Sequence, residues 1–204
     1  YAGYSPENYD EKYKGVVTVS EALIRSLNVP AVNLTSELGI QEFYRFLQDG
    51  GISTLNKKYN DYGLPLVLGA CEVSLIDLAN LYAALGRNVI YKPLVMLDSE
   101  VSAKAADLLS PEACYLVSRI LSNLQRPHLP SSWEFTRDLP TIAWKTGTSY
   151  GRRDAWAIGY NPLFTVGVWA GNFSGDGSPW LVGAESAAPL MFSVFNEIMQ
   201  GREH

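Results

Sequence analysis

Apolar residues recur at helical spacing through most of the first 120 or so positions, and at strand-like spacing after position 140. Thr18-Val-Ser-Glu21 has the spacing of a capping box, and Ala22, Leu23 and Leu27 follow at helical intervals, which predicts a helix from Thr18. Pro30 disfavours helix at the residue before it, so the helix is expected to break around Asn28-Val-Pro30 and to resume through Val32 and Leu34 to Gly39. Ser26-Leu-Asn28 then sits at a helix break. Ile40, Phe43, Tyr44 and Leu47 mark a second helix ended by Gly50-Gly51, and 53–70 reads as loop. Ser74-Leu-Ile-Asp77 caps a helix through Leu78, Leu81, Tyr82 and Leu85 that stops at Gly86. A short strand is expected from Val89 to Leu97. Ser110-Pro111-Glu112 puts proline at a first helical position, with Val117, Ile120, Leu121 and Leu124 as the buried face.

From Arg126 the pattern changes. Pro127, Pro130 and Pro140 punctuate a loop, and three short apolar and aromatic segments follow: Thr141 to Thr148, Ala155 to Tyr160, and Phe164 to Ala170. The Asn161-Pro162 turn predicts that the last two form an antiparallel hairpin. A glycine-rich loop, Gly171 to Gly177, leads to a final helix over 187–199 in which Leu190, Val194 and Ile198 recur every four residues. No internal repeat or low-complexity tract is visible.

Composition narrows the function classes. With 204 residues, 47% hydrophobic and 18% charged, the chain has enough apolar content for a sizeable core. The net charge of −5 offers no basic excess to neutralise a phosphate backbone, which sets nucleic-acid binding aside. No run approaches the roughly 20 apolar residues of a membrane-spanning helix, and the opening residues lack a signal-peptide pattern. Cys71 and Cys114 have no CxxC spacing and read as small core residues, with a disulfide between them left open.

Two short motifs carry the chemistry. In Ala143-Trp-Lys145-Thr146-Gly147-Thr148-Ser149, a strand presents one cation among hydroxyls, and Gly147 lets another backbone approach without a Cβ in the way. That arrangement suits an extended, anionic ligand: hydroxyls donate to a carboxylate, and a strand-edge N–H points at a developing oxyanion. An edge strand blunted by a lysine has the same look. Ser26-Leu-Asn28 reads equally as a pair of backbone caps at a helix break or as a polar partner to the lysine strand.

Together, SLN followed by KTGTS resembles two of the three motifs of the serine penicillin-recognising enzymes. The flanking segments GYSPENYDEKYKGVVTVSEALIRSLNVPAVNL, LGACEVSLIDLANLYAALG and IAWKTGTSYGRRDAWAIGYNP are similar to the transpeptidase domain of bifunctional class A penicillin-binding proteins, the 1C branch above all. The resemblance covers essentially the whole chain. It implies an α/β fold of the α+β type, the penicillin-binding/serine β-lactamase-like transpeptidase fold. Residues 1–204 are then a partial domain, with a helical lobe over 15–125 and antiparallel strands plus a terminal helix over 140–200, the cleft lying between them. The implied activity is that of a peptidoglycan DD-transpeptidase. A serine attacks the D-Ala-D-Ala bond of a stem peptide, the acyl group passes to an amine on a neighbouring strand, and β-lactam antibiotics acylate the same serine.

The same resemblance assigns roles by position. Ser26 relays a proton between nucleophile and Lys145, and Asn28 hydrogen-bonds the substrate backbone. Lys145 supplies positive charge and tunes proton transfer. Thr146 and Thr148 bind the terminal carboxylate beside Gly147, and the Thr148 N–H forms half of the oxyanion hole. Arg152, Arg153 and Asp154 match the segment leading into the next strand without an assigned role. No metal or organic cofactor is implied. The implied partners are stem peptides, β-lactams and other cell-wall synthesis proteins. The implied location is the periplasmic side of the cytoplasmic membrane, with the anchor upstream.

The chain departs from this pattern at the nucleophile. The residues three positions before its lysines are Tyr9, Glu11, Thr54, Leu55, Val89, Val101 and Ile142, and none is serine. The Ser-x-x-Lys helix, the early strands and any glycosyltransferase domain are therefore expected to precede Tyr1, and the chain alone is expected to be inactive. A Ser-His-Asp hydrolase finds no support, because the two histidines are His128 in a proline-bounded loop and the final residue, His204. A β-lactam sensor, or a catalytically silent module that docks cell-wall partners, is the alternative. Trp180, in a Gly-Asp-Gly-Ser-Pro-Trp loop, suits either a partner surface or a plug at a lobe junction.

Overall fold

The computed structural model describes residues 4–9, 11–13, 15–87, 90–97, 105–123 and 141–200. Leu124, Val89, the proline-punctuated segment with Pro127, His128, Pro130 and Pro140, and the terminal His204 lie outside them. The chain divides into two compact units, Tyr1–Ser74 and Leu75–His204, so the segment 15–125 spans both.

The first unit is helical. Helix α1 (Val19–Ile24) starts where the capping box predicts, with the Thr18 hydroxyl accepting the Glu21 N–H at 3.1 Å. The break comes earlier than Pro30 suggests. Arg25 closes α1, Ser26 takes a left-handed φ of 53°, Leu27 is extended, and α2 (Asn28–Leu38) already includes Val29 and Pro30. Pro30 falls in the first turn of α2, where N–H groups have no intrahelical acceptor and a missing one costs nothing. The cap of α2 comes from afar: Asn8, nearly buried, accepts the Val29 N–H through Oδ1 at 3.2 Å and donates to the Lys12 carbonyl at 2.8 Å. Helix α3 (Ile40–Asp49) follows Gly39. The stretch expected as loop contains α4 (Tyr59–Tyr62) and a 3-10 turn (Leu64–Leu68). Tyr44 packs against Tyr59 and Tyr62 with centroids 6.3 and 6.2 Å away, and Val32, Ile52 and Leu66 form the buried centre.

The second unit is built on a three-stranded antiparallel sheet, β3 (Ala143–Thr148), β4 (Asp154–Tyr160) and β5 (Thr165–Gly171), in that order. A separate two-stranded ladder pairs β1 (Ile90–Tyr91) with β2 (Ala106–Asp107), and among the described residues of the strand expected from Val89 to Leu97 only Ile90 and Tyr91 are strand. The sheet register pairs Lys145 with Ile158, Gly147 with Trp156, and Trp156 with Trp169. Side chains alternate across a strand. Lys145 and Gly147 therefore share one face with Ile158, Trp156 and Trp169, while Trp144, Thr146 and Thr148 share the other.

Helices cover both faces. On the lysine face, α5 (Leu75–Gly86) lies so close that a Cβ on Gly167 would stand 3.0 Å from Leu75 Cδ1. Helix α6 (Pro111–Ser122), capped by the Ser110 hydroxyl, reaches the same face through the 2.9 Å bond between Ser118 and the Tyr160 hydroxyl. On the opposite face lie a π-helical turn (Gly183–Ala187) and α7 (Ala188–Gln200). Trp144 meets Phe192 edge-on at 5.0 Å between centroids, and Met191 fills the space over Gly159. The buried face of α7 is thus Ala188, Met191, Phe192 and Phe195. Of Leu190, Val194 and Ile198, which recur every four residues, Leu190 is exposed. Cys114 is buried, Cys71 half-buried, and both are free thiols.

Candidate functional site

The residues singled out in the sequence fall into two groups, one in each unit. Ser26 and Asn28 flank Leu27 at the α1–α2 junction. Ser26 holds its left-handed backbone there, and Asn28 donates its side-chain amide to the Glu7 carbonyl at 2.9 Å, which ties the junction to the lead-in segment.

Lys145, Thr146, Gly147 and Thr148 run consecutively along β3, which among the described residues pairs with β4 alone and is an edge of its sheet. The strand is buried at Ala143 and Trp144 and emerges to solvent at Gly147 and Thr148. Lys145 lies at the transition. Its Nζ donates to the Thr146 carbonyl at 2.7 Å, and burial holds its pKa down at about 8, because a charged ammonium loses hydration there. The fold thus places a lysine with a pKa of about 8 beside the half-buried Thr146 and three residues before the exposed Thr148.

Thr148 is held in place. Its Oγ1 accepts the N–H of Gly183 at 3.0 Å, from the π-helical turn behind the strand. Ser149, the next residue, closes the β3–β4 connection: its N–H donates to the Asp154 carbonyl at 3.0 Å, and its Oγ accepts the N–H groups of Arg153 and Asp154 at 3.2 and 2.8 Å. Arg152 takes a left-handed φ of 52° and donates to the Pro179 carbonyl at 2.8 Å. Asp154 accepts the indole N–H of Trp169 at 3.0 Å. The three residues left without a role by sequence therefore build the turn that follows the lysine strand. Ser149 could be suspected from its place in the motif. Gly183 had no local signal beyond its place in Gly183-Ala-Glu-Ser-Ala-Ala188, a run of small residues apart from Glu185.

Beyond Gly147 the lysine face continues as an aromatic row. Trp156 and Trp169 have centroids 6.4 Å apart, Trp169 and Phe173 6.0 Å, and Phe173 is fully exposed. Trp180 is exposed as well. A cavity of about 220 Å³ lined by Asn80, Arg87 and Phe164 lies at the Asn161 turn, which the register puts at the end of the sheet opposite Thr148. Among the described residues, no three His, Cys, Asp or Glu side chains converge on a metal-sized site.

An edge strand carrying Lys-Thr-Gly-Thr is what the resemblance to the penicillin-recognising enzymes leads one to expect, and comparison with known proteins gives the family. Residues 1–199 match the family described as penicillin binding protein transpeptidase domain, and the chain belongs to that family. It is 36% identical to penicillin-binding protein 1C of Escherichia coli over 96% of its own length and 25% of that protein, and 31% identical to penicillin-binding protein 1F of Bacillus subtilis over 94% and 28%. The chain thus spans about a quarter of the length of these relatives. Among solved structures, it superposes on penicillin-binding protein 1A of Haemophilus influenzae with a TM-score of 0.77 at 19% identity, covering 98% of this chain and 37% of that one. The PonA1 protein of Mycobacterium tuberculosis in complex with penicillin V gives 0.74 at 20% identity, covering 96% and 60%. The fold is therefore the penicillin-binding transpeptidase fold.

Proposed function

We propose that this chain supplies the proton-handling and carboxylate-binding parts of a serine-type DD-transpeptidase within a longer, bifunctional cell-wall synthase. The observation that carries the reading is β3 itself. It places a lysine with a pKa of about 8, a glycine that leaves room for a ligand backbone, and an oriented threonine hydroxyl in succession on a sheet edge.

In the proposed reaction a serine Oγ, supplied by sequence upstream of Tyr1, attacks the carbonyl of the penultimate D-Ala of a peptidoglycan stem peptide. The C–N bond to the terminal D-Ala breaks, the serine proton ends on the departing amine, and an acyl-serine remains. An amine from a neighbouring strand then attacks that ester, forms the cross-link and returns a proton to the serine. Lys145 takes part in the proton steps, for which a pKa near the working pH is the useful one. Thr146 and Thr148 donate to the terminal carboxylate, and the Thr148 N–H stabilises the developing oxyanion, an interaction whose loss typically costs about 10²–10³ in rate. Ser26 handles the proton of the nucleophile. Asn28, with its amide nitrogen engaged by Glu7, offers Oδ1 to the substrate backbone.

β-Lactams, which mimic the acyl donor, form a stable ester at the same serine. The reaction takes place outside the cytoplasmic membrane, where peptidoglycan lies. No helix among the described residues is long and apolar enough to cross that membrane.

The test is intact-mass spectrometry after incubation with benzylpenicillin, run on the 204-residue chain and on its upstream-extended parent. An adduct on the parent alone is expected. An adduct on neither overturns the enzyme reading in favour of a silent module, and one on the short chain overturns the placement of the nucleophile upstream.

A further inference from the structure

We infer that Gly183 is a positioning residue for Thr148, fixing its hydroxyl as a hydrogen-bond donor so that the site selects ligands ending in a carboxylate. This rests on the functional reading above and adds to it a residue 35 positions away in sequence.

A threonine hydroxyl has one hydrogen to give and two lone pairs to receive. With nothing beside it, it rotates and serves donors and acceptors alike. Here the Gly183 N–H occupies one lone pair of Thr148 Oγ1 at 3.0 Å. Gly183 opens the helical segment that continues into α7, and the first N–H groups of such a segment have no intrahelical acceptor. With that lone pair filled, the Thr148 hydrogen cannot point at Gly183, and it is left for a partner on the solvent-exposed side of this end of β3. A carboxylate accepts such a hydrogen in a charge-assisted bond, whereas an ester or amide at the same place receives a weaker one.

Space dictates the residue type at position 183. Gly183 does not occupy the left-handed region, so its freedom of φ is not the reason. A Cβ there would stand 2.5 Å from the Gly147 carbonyl oxygen, 2.7 Å from that of Trp156 and 3.0 Å from Thr146 Cβ. Two of these are backbone atoms of paired strands and cannot swing aside. Any larger residue must lift the turn from β3 or push β3 outward, and either movement breaks the bond to Thr148. Ser149 anchors the other side of Thr148 through the Asp154 carbonyl, so the strand cannot simply follow the turn.

The experiment compares acylation of the upstream-extended protein by benzylpenicillin and by its methyl ester, which differ at the carboxylate alone. Wild type is expected to prefer the acid, and a wild type that acylates without that preference overturns the inference. Gly183→Ala is expected to lower that preference by about tenfold to a hundredfold, the range for a hydrogen bond to a charged group. Thr148→Ser should retain the preference, and in a Thr148→Val background the Gly183→Ala change should have no further effect on the ratio. A general loss of structure would lower both rates in proportion and leave the ratio alone, so an unchanged ratio in Gly183→Ala overturns the inference.

Amide hydrogen exchange at Gly183 needs no Gly183 variant. The N–H should be protected in wild type and Thr148→Ser and exchange at least about tenfold faster in Thr148→Val; equal exchange in all three overturns the inference even if Gly183→Ala fails to fold. A wild-type parent that forms no adduct overturns the functional reading, and the inference with it. A parent that forms one while Gly183→Ala keeps the preference overturns the inference alone.

Discussion

Replacing Lys145 by methionine tests how the fold treats its one cation on β3. Burial lowers the lysine pKa from 10.5 to about 8, which corresponds to about 3 kcal/mol favouring the neutral over the charged form. The sign of the pH effect follows from which state holds more protons. Below pH 8 the lysine is protonated both in the fold and in the unfolded chain, and the full penalty for carrying charge in the fold is present. Between about 8 and 10.5 the folded protein has shed its proton while the unfolded chain keeps it, so stability climbs with pH. Above that window neither state is charged and the penalty is gone.

Methionine keeps much of the stem and carries no charge. Lys145→Met is therefore expected to be more stable than wild type at pH 7 by up to about 3 kcal/mol, with the gap closing as pH rises to 11. Urea denaturation followed by tryptophan fluorescence at pH 7 to 11 measures the gap, because Trp144 adjoins the substituted residue and is buried against Phe192. Carbon-13 NMR of the lysine side chains supplies the direct reading: one resonance should titrate near pH 8 in wild type and be missing from the variant. Parallel stability curves would refute the reasoning. So would a gap that widens with pH, which would mean that a neighbouring group holds the ammonium charged in the fold.

Two further perturbations address the supports of the site. Phe192→Ala removes the ring packed edge-on against Trp144 in the centre of the second unit, and is expected to cost about 3–5 kcal/mol with a red shift in tryptophan emission, both measurable by thermal and chemical melts. At the α1–α2 junction, Ser26→Gly is expected to be about 1 kcal/mol more stable than Ser26→Ala, because φ of 53° disfavours a Cβ; equal melting of the two variants would mean that the junction relaxes out of the left-handed region.

Much of this fold was legible where the determinant is local. The Thr18 and Ser110 caps start their helices, and the three strands fall within a residue or two of their expected bounds, because a hydroxyl near the first free N–H groups or an Asn-Pro turn acts over a few residues. Errors arose where a distant partner decides. Asn8 caps α2 from 21 residues upstream, so Val29 is helical despite preceding a proline. Helix α7 is apolar around most of its circumference, and its own spacing could not reveal which side faces the sheet. Gly159 and Trp144 settle that by receiving Met191 and Phe192. The short helices in 53–70 form around Tyr44, whose hydroxyl donates to the Lys57 carbonyl at 2.8 Å, another contact with no local sequence signature.

The same division runs through the candidate site. The motif names the chemical groups, since Lys, Thr, Gly and Thr in succession already specify a cation, donors and an opening for another backbone. What it leaves out is the state in which each group is held. The lysine pKa falls to about 8 because burial strips water from the ammonium. On the inference drawn above, the Thr148 hydroxyl is turned toward donating because the N–H of a glycine far along the chain fills one of its two lone pairs. Alternation along β3 lets both happen on one strand: odd positions put the largely buried Lys145 and the exposed Gly147 on one face, even positions turn Thr146 and Thr148 toward the turn that carries Gly183. A ligand paired along the edge meets both faces at once. Moving the lysine by a single residue would put it on the threonine face, against the turn, and abolish that arrangement although the composition of the motif would be unchanged.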